Sequence, residues 1–264
     1  MFNDKVIWIT GASSGIGEAL AYEFAQRGSK LILSARRESE LNRVKSQCVS
    51  LGASENQINV LPLDLANQNA MISLAKQAND AFGQIDFLLN NAGISQRSLC
   101  LETGLDVYRK LLDIDVMGQI ALTKAVLPYM VEQGSGHISV TSSVAGKVGV
   151  KMRTGYCAAK HAVMGFFDAL RAEVSDKGIQ VSTITPGFIR TAISKNALAA
   201  DGSAFGVDDE DIAAGMDVTK CAQVIVKGIE KGKKEIPVGE GKEMMVLWLK
   251  RFLPNLAFKL VAAR

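Results

Sequence analysis

Short apolar runs alternate with longer amphipathic stretches along most of the chain. Six runs are apolar for most of their length, as strands covered on both faces are, and predict strands at Val6–Thr10, Lys30–Ser34, Asn59–Leu63, Phe87–Asn90, His137–Thr141 and Gln180–Thr185. Helical spacing between them predicts helices over Glu18–Gln26, Ser39–Ser50, Ala70–Phe82, Leu105–Glu132 and Tyr156–Ser175. This alternation predicts an α/β fold in three layers, with a doubly wound parallel sheet between helices. No repeat or proline-rich linker interrupts it, which favours a single domain over residues 1–264.

Two segments depart from the alternation. Thr191–Asp217 is rich in Ala, Gly, Asp and Ser without a strong apolar period, so we expect either a substrate lid or a plain surface loop. The tail, Lys242–Arg264, is mostly apolar, and Pro254 is expected to split it into two short helices. Such a tail could cap the substrate pocket, pack in an oligomer or lie on a membrane. Because its charges fall on several sides of a helical projection, membrane contact is not favoured.

The composition is that of an ordinary globular protein. The chain has 48% apolar and 22% charged residues, which argues against disorder, and its net charge of +3 gives no electrostatic case for nucleic acid. The apolar run Met244–Leu249 falls short of the ~20 residues that span a bilayer. The start of the chain shows no secretory leader, and four scattered cysteines without a C-x-x-C pair favour reduced thiols. We therefore expect a soluble, cytoplasmic protein, and no spacing suggests a metal site.

A glycine-rich turn follows the first predicted strand and opens the first helix. The chain must turn sharply at Gly11, approach a ligand at Gly15 and pack against the strand at Gly17, and glycine suits all three places because it lacks a Cβ. The free N–H groups of the helix then face a pyrophosphate. The predicted phosphate-binding residues are Gly11, Ser13, Ser14, Gly15, Ile16 and Gly17.

The turn has the spacing Gly-x3-Gly-x-Gly and occurs with later residues in a set order. These are Asn90-Asn91-Ala92-Gly93, Ser143, Tyr156-x3-Lys160 and Pro186-Gly187. From the first strand to about Thr191, the set resembles the short-chain dehydrogenase/reductase family. Within it, Ser95–Cys100 and Leu105–Lys110 look like the branch called member seven. The resemblance implies a Rossmann fold and a nicotinamide-dependent oxidoreductase that acts on CH–OH groups.

The end of the second predicted strand bears on the choice of cofactor. NAD enzymes hold the ribose hydroxyls with an acidic side chain there, whereas this chain has Ala35 followed by Arg36 and Arg37. Guanidinium groups suit a 2′-phosphate, so NADP(H) is favoured and NAD(H) is not excluded. The alternative is two solvated arginines at the start of a loop.

The resemblance also implies further cofactor contacts. Asp64 would contact the adenine, although it could equally cap the helix that follows. Asn91 would steady the central strand. The remaining expected contacts are Ala92, Gly93, Tyr156, Lys160, Pro186, Gly187, Ile189 and Thr191.

Tyr156 and Lys160 stand four residues apart, on one face of a helix. Hydride transfer to a carbonyl needs a matching proton transfer, and a tyrosine with an ordinary pKa near ~10 is a poor base at neutral pH. A neighbouring ammonium favours the tyrosinate form. Ser143 lies 13 residues before Tyr156, as the resemblance requires, and would bond the substrate oxygen.

Asp115 stands where the family usually carries asparagine, which supports a proton path to the lysine. We include it among the expected catalytic residues. An ionised Asp115 should oppose tyrosinate formation but favour a charged Lys160.

The leading hypothesis is an enzyme that interconverts a lipophilic carbonyl and its alcohol. Its expected pocket residues are Leu99, Val148, Val150, Met152, Phe188, Ile193 and Phe205. The alternative is a dinucleotide-binding sensor or scaffold that has lost turnover; an epimerase or dehydratase is less favoured. The resemblance implies a homodimer or homotetramer joined through Leu105–Glu132 and Tyr156–Ser175.

Overall fold

The structure, a computed structural model that describes residues 1–263, is built on one parallel sheet of seven strands. The strands are β1 (Val6–Thr10), β2 (Lys30–Ser34), β3 (Ile58–Val60), β4 (Phe87–Asn90), β5 (Gly136–Thr141), β6 (Ile179–Pro186) and β7 (Glu235–Val238). Their order is β3-β2-β1-β4-β5-β6-β7. Because β2 and β4 flank β1 on opposite sides, the connections leave in opposite directions and a crevice opens at the carboxyl ends of these strands.

Helices cover both faces of the sheet. They are α1 (Gly15–Ala25), α2 (Glu38–Ser50), α3 (Met71–Phe82), α4 (Leu105–Leu112), α5 (Gln119–Gln133), α6 (Thr154–Glu173), α7 (Glu210–Ala213), α8 (Val218–Glu230), α9 (Lys242–Phe252) and α10 (Pro254–Ala262). Along β1, Ile7 and Ile9 join one apolar cluster, while Val6 and Trp8 join the other. Alternate side chains therefore enter opposite cores, which is why the strand is apolar throughout. The predicted α/β fold is confirmed.

Three elements were missed by the sequence analysis: the strand β7, the helix α8 and the short helix α7. The edge strand β7 has alternately buried and exposed residues and contains Pro237, so its apolar pattern is weak. Helix α8 buries Cys221, Ile225 and Ile229 at helical spacing, a periodicity that the sequence does carry. The third strand is also shorter than predicted, although the backbone N–H of Leu61 still bonds to the β2 carbonyl of Leu33.

The long helix predicted over Leu105–Glu132 is interrupted. Residues Asp113–Gly118 form a π-helical segment between α4 and α5. Such segments insert an extra residue into the helix and are frequent at functional sites. Here the segment carries Asp115, which is completely buried.

Within the described residues, Leu105–Gln133 is the one stretch long and apolar enough by composition to cross a bilayer. Of its most apolar window, 44% is buried inside the protein. The tail forms two helices separated at Pro254, as expected. Thr191–Asp217 contains α7 and β-bridges of Leu198 to Gln96 and Ala204, so it is a folded cover rather than a featureless loop.

Candidate active site

A cavity of about 870 Å³ lies at the carboxyl ends of the central strands. Most of the residues selected from the sequence line it. They are Gly11, Ser13, Ser14, Gly15, Ile16, Arg36, Arg37, Asp64, Asn91, Ala92, Gly93, Ser143, Tyr156, Lys160, Pro186, Gly187, Ile189 and Thr191. Gly17 and Asp115 do not line the cavity but lie behind its wall.

The glycine-rich turn leaves no room for side chains. Gly11 and Gly15 have φ of +68° and +57°, in the left-handed region that favours glycine. A Cβ on Gly17 would lie 2.3 Å from the carbonyl oxygen of Gly11, so this glycine allows α1 to pack against the turn. The N-cap residue of α1, Ser14, makes no side-chain hydrogen bond to the helix. The first amides are therefore left for an anion, and the cradle fits the phosphates of a dinucleotide.

Asn91 joins the strands beside this turn. Its Nδ2 donates to the carbonyl of Thr10 at 3.1 Å, and its backbone N–H donates to the hydroxyl of the same residue at 3.0 Å. Its Oδ1 accepts from Thr141 at 3.3 Å. Asn91 thus links β1, β4 and β5 where the cavity begins.

The cavity has a cofactor half, formed around the glycine-rich turn, and a substrate half. In the cofactor half, Arg36 and Arg37 are exposed and follow the half-buried Ala35. Within residues 1–263, neither guanidinium group forms an ion pair, and both face the cavity and solvent. Asp64 lines the same wall, and its Oδ1 accepts from the backbone N–H of Ala66 at 3.0 Å. Its turn-stabilising role is therefore present alongside its place in the cavity wall.

Of the predicted catalytic set, Ser143, Tyr156 and Lys160 line this cavity. Helix α6 carries Tyr156 and Lys160, and the lysine Nζ lies 5.6 Å from the centroid of the tyrosine ring. Ser143 follows β5, and its hydroxyl accepts from the N–H of Ala145 at 3.1 Å. The arrangement places a phenol, a hydroxyl and an ammonium in the wall of the same cavity.

Lys160 is held from behind by Asp115. Its Nζ lies 3.1 Å from Asp115 Oδ2 and donates to the carbonyl of Thr141 at 3.2 Å. The other oxygen, Oδ1, accepts from the N–H of Ile94 at 2.8 Å. A Cβ on Gly93 would lie 3.0 Å from both Asp115 Oδ2 and Lys160 Nζ, so glycine leaves space for this ion pair.

The charges of this pair are coupled. Burial raises the pKa of Asp115 above its ordinary value, although the ammonium of Lys160 and the N–H of Ile94 oppose the shift. For Lys160, burial favours the neutral amine, but the charge of Asp115, together with Tyr156, outweighs it and raises the pKa. Lys160 is therefore held as a cation, and Asp115 acts on the site through it rather than by touching a ligand.

Gln96 was missed as a site residue by the sequence analysis. It is fully buried, and its Oε1 accepts from the backbone N–H of Gly155 at 2.8 Å and more weakly from that of Tyr156. Its Nε2 donates to the hydroxyls of Ser98 and Thr103. A distant side chain therefore caps the helix that carries the phenol, and local capping patterns could not reveal it.

The substrate half of the cavity is lined by both apolar and charged residues, whereas only apolar ones were expected. Its predicted apolar residues Val148, Val150, Met152, Phe188 and Ile193 do line it. Leu99 and Phe205 do not, so these two expectations were wrong: Leu99 is 42% exposed on the surface, and the Phe205 ring lies beside Arg97.

Charged residues that the sequence analysis missed also line this half. Arg97 and Arg153 share Oδ2 of Asp209, which belongs to the folded cover. Glu243 of α9 is buried, and its Oε1 accepts from the N–H of Phe188 at 3.3 Å. These contacts attach the cover and the tail to the cavity, and their long sequence separations concealed them.

Comparisons with known proteins agree with this geometry. The family model for short chain dehydrogenases matches residues 5–202. The chain belongs to the short-chain dehydrogenase/reductase family. The human protein named dehydrogenase/reductase SDR family member 7 is 42% identical over 257 residues, which cover 97% of this chain and 76% of that one. A Drosophila melanogaster relative named SDR family protein 7-like is 43% identical and covers 98% and 80%.

A solved short-chain dehydrogenase/reductase from Burkholderia phymatum, in complex with NAD, has the same fold. It is 25% identical, with a TM-score of 0.85, and the match covers 97% of this chain and 95% of that one. The resemblance seen in the sequence is therefore confirmed, and this member of the family is an NAD(P)-dependent oxidoreductase with a Rossmann fold.

Proposed function

We propose that the chain is an NADP(H)-dependent enzyme that interconverts a lipophilic ketone or aldehyde and its alcohol, with Tyr156 as general acid and base. One observation carries the proposal: Tyr156 and Ser143 line the same cavity, while the buried Asp115 keeps Lys160 charged next to the phenol. The complete set favours turnover over the alternative of a silent dinucleotide sensor.

Side chains of the protein transfer the proton to and from the substrate oxygen. When bound, the cofactor supplies or accepts a hydride at the substrate carbon. During reduction, the Tyr156 phenol donates its proton to the substrate oxygen, and the Lys160 cation stabilises the phenolate that remains. The hydroxyl of Ser143 orients the same oxygen. Oxidation uses the same groups in reverse, with the phenolate as base.

The preference for NADP(H) rests on charge at the end of β2. Two exposed guanidinium groups and no carboxylate at Ala35 suit a 2′-phosphate and do not provide the acceptor that ribose hydroxyls need. The fold alone does not decide between the cofactors, since the Burkholderia phymatum relative holds NAD. Paired fluorescence titrations should therefore show NADPH bound at least about tenfold more tightly than NADH. A preference for NADH would overturn this part of the proposal.

The substrate class rests on the other half of the cavity. Val148, Phe188 and Ile193 supply apolar surface. Arg97 and Arg153 both form ion pairs with Asp209, so their charges are partly neutralised within the protein. We therefore expect NADPH consumption with aromatic, steroid-like or retinoid-like carbonyls, and little with sugars or small oxo acids. Faster reduction of the polar group would contradict this assignment.

We further propose a cytoplasmic enzyme that assembles into a homodimer or homotetramer. All four cysteines are free, and three of them are buried. Helices α4 and α5 expose Leu105, Leu112 and Val131, which suits burial against another copy. Light scattering of the purified protein tests the assembly, because a monomer at all concentrations would contradict it.

A further inference from the structure

The two tail helices expose a cluster of large apolar side chains. Trp248 is 70% exposed and stacks on Phe252, which is 63% exposed. Met245, Leu253, Leu256 and Leu260 are also exposed. Scattered apolar residues are normal on a surface, but a cluster of this size within about twenty residues marks a surface that contacts something else.

The tail is attached to the protein by few residues. Glu243 and Ala257 are the buried residues of the two helices, and Glu243 bonds to the loop that follows β6. Met244, Val246, Leu247 and Leu249 of α9 and Val261 of α10 are half-buried and add contacts, whereas the exposed apolar side chains do not hold the helices in place. Their exposure costs free energy in water unless a partner covers them.

The charges around the cluster identify the partner. From residue 242 to residue 263, the one acidic side chain is the buried Glu243, whereas Lys242, Arg251 and Lys259 are exposed cations and Lys250 lies 4.0 Å from the Phe258 ring centroid. Exposed apolar side chains and exposed cations, on two helices whose one acidic side chain is buried, complement a bilayer that contains anionic lipid. Trp and Phe suit the boundary between headgroups and acyl chains, and the long cations can reach the headgroups.

The cluster also adjoins the mouth of the active-site cavity. Val261 lines the cavity, and Val261 and Phe258 face Val150 and Lys151 across a neighbouring groove. A bilayer on the tail would thus lie beside the entrance to the apolar half of the cavity.

We propose that α9 and α10 form a docking surface for a membrane that carries anionic lipid. The proposal is independent of the reaction catalysed, because it concerns binding alone. The sequence analysis weighed only the scattered charges of the tail. On α9, the exposed Met245, Trp248 and Phe252 stand three and four residues apart and therefore share one side of the helix.

The protein carries a built-in reporter for this contact. Of its two tryptophans, Trp8 is fully buried in the sheet and Trp248 is exposed, so a change of solvent at the tail alters the emission of Trp248. Addition of phosphatidylcholine vesicles that contain phosphatidylserine should shift the emission to shorter wavelength and carry the protein upward in flotation. Vesicles of phosphatidylcholine alone should bind at least about tenfold more weakly, because each cation near an anionic surface contributes about fivefold in affinity.

Matched variants separate the contribution of the apolar side chains to vesicle binding from that of the cations. The double variant Trp248→Ser/Phe252→Ser should lose at least about tenfold in vesicle affinity, whereas Ile72→Ser/Leu101→Ser, which removes exposed apolar residues elsewhere, should bind as the parent does. Arg251→Glu/Lys259→Glu should lose the preference for phosphatidylserine, while Lys227→Glu/Lys231→Glu should keep it. Thermal unfolding of each variant establishes that it is folded.

Three results would overturn the proposal. One is the absence of flotation and emission shift with either vesicle. Another is equal vesicle affinity of the Trp248→Ser/Phe252→Ser variant and the parent. The third is a Trp248 shift that depends on protein concentration without vesicles, together with a mass that falls in the double variant, because a second copy would then cover the face.

Discussion

The two halves of the cavity are built in different ways. The cofactor half is formed by backbone: glycines at Gly11 and Gly15, an uncapped helix end, and strand ends tied together by Asn91. The substrate half is formed by side chains from several separate segments, among them Arg97, residues 144–153, Phe188, the cover over 191–217, and the tail helices. The nicotinamide cofactor is common to the family and is bound by a fixed backbone. The substrate is selected by side chains, which can vary without disturbing the sheet.

Tyr156 lies where the two halves meet, and its replacement should have the largest effect. Tyr156→Phe removes the proton donor but keeps the ring, so turnover should fall about 10³-fold while NADPH binding is unchanged. Tyr108→Phe is the control, because Tyr108 bonds to Thr154 on the same helix but lies outside the cavity. Steady-state kinetics and fluorescence titration measure both quantities, and unchanged turnover would remove Tyr156 from the mechanism.

An effect confined to the cofactor half should come from the two arginines. Arg36→Ala/Arg37→Ala should weaken NADPH binding by about tenfold or more, since charged contacts to a 2′-phosphate are lost, while NADH binding stays as it was. The exposed Arg109, ion-paired with Asp106, offers Arg109→Ala as the control. Equal weakening of both cofactors would show that these arginines do not distinguish them.

Replacement of Gln96 tests whether its hydrogen bonds to the start of α6 position Tyr156. Gln96→Met should lower the free energy of unfolding by about 1–3 kcal/mol, because the buried N–H of Gly155 loses its acceptor. Turnover should fall about tenfold through misplacement of Tyr156, with NADPH binding retained. Gln77→Met on exposed α3 is the control. A stability loss without any change in turnover would leave Gln96 a structural residue only.

The smallest effect at neutral pH should come from Asp115. Asp115→Asn removes the charge that raises the pKa of Lys160, so the lysine loses its proton at lower pH. The alkaline limb of the plot of activity against pH should therefore shift to lower pH. At neutral pH, turnover should be unchanged or modestly higher, because the carboxylate no longer opposes the phenolate. Asp113→Asn, on the exposed side of the same π-helical segment, should leave the profile in place.

A loss of more than about tenfold at neutral pH in Asp115→Asn, with cofactor binding intact, would show that the carboxylate has a role of its own. An unmoved alkaline limb would show that the ion pair does not control the charge of Lys160.

The sequence predicted the cofactor half better than the substrate half, for a physical reason. Glycine spacing and the four-residue separation of Tyr156 and Lys160 are local patterns, so they can be found before the fold is known. The contacts of Gln96 with α6, of Asp209 with two arginines, and of Glu243 with the β6 loop join segments far apart in the chain. No local pattern carries such contacts.

The π-helical segment illustrates the same limit. Apolar spacing correctly predicted a helix around residues 105–133 but not the extra residue that directs Asp115 to Lys160. That geometry depends on the tertiary packing of α6 against the segment, which periodicity does not contain.

The central claim is that this enzyme moves a hydride between a nicotinamide cofactor and a carbonyl carbon, with the proton from Tyr156. The most direct test supplies NADPH with both hydrogens at the nicotinamide C4 position replaced by deuterium, together with an aromatic ketone, and examines the product by mass spectrometry. We expect an alcohol with deuterium on the carbinol carbon from the unmodified protein and almost none from Tyr156→Phe. An alcohol without deuterium, or equal product from both proteins, would contradict this claim.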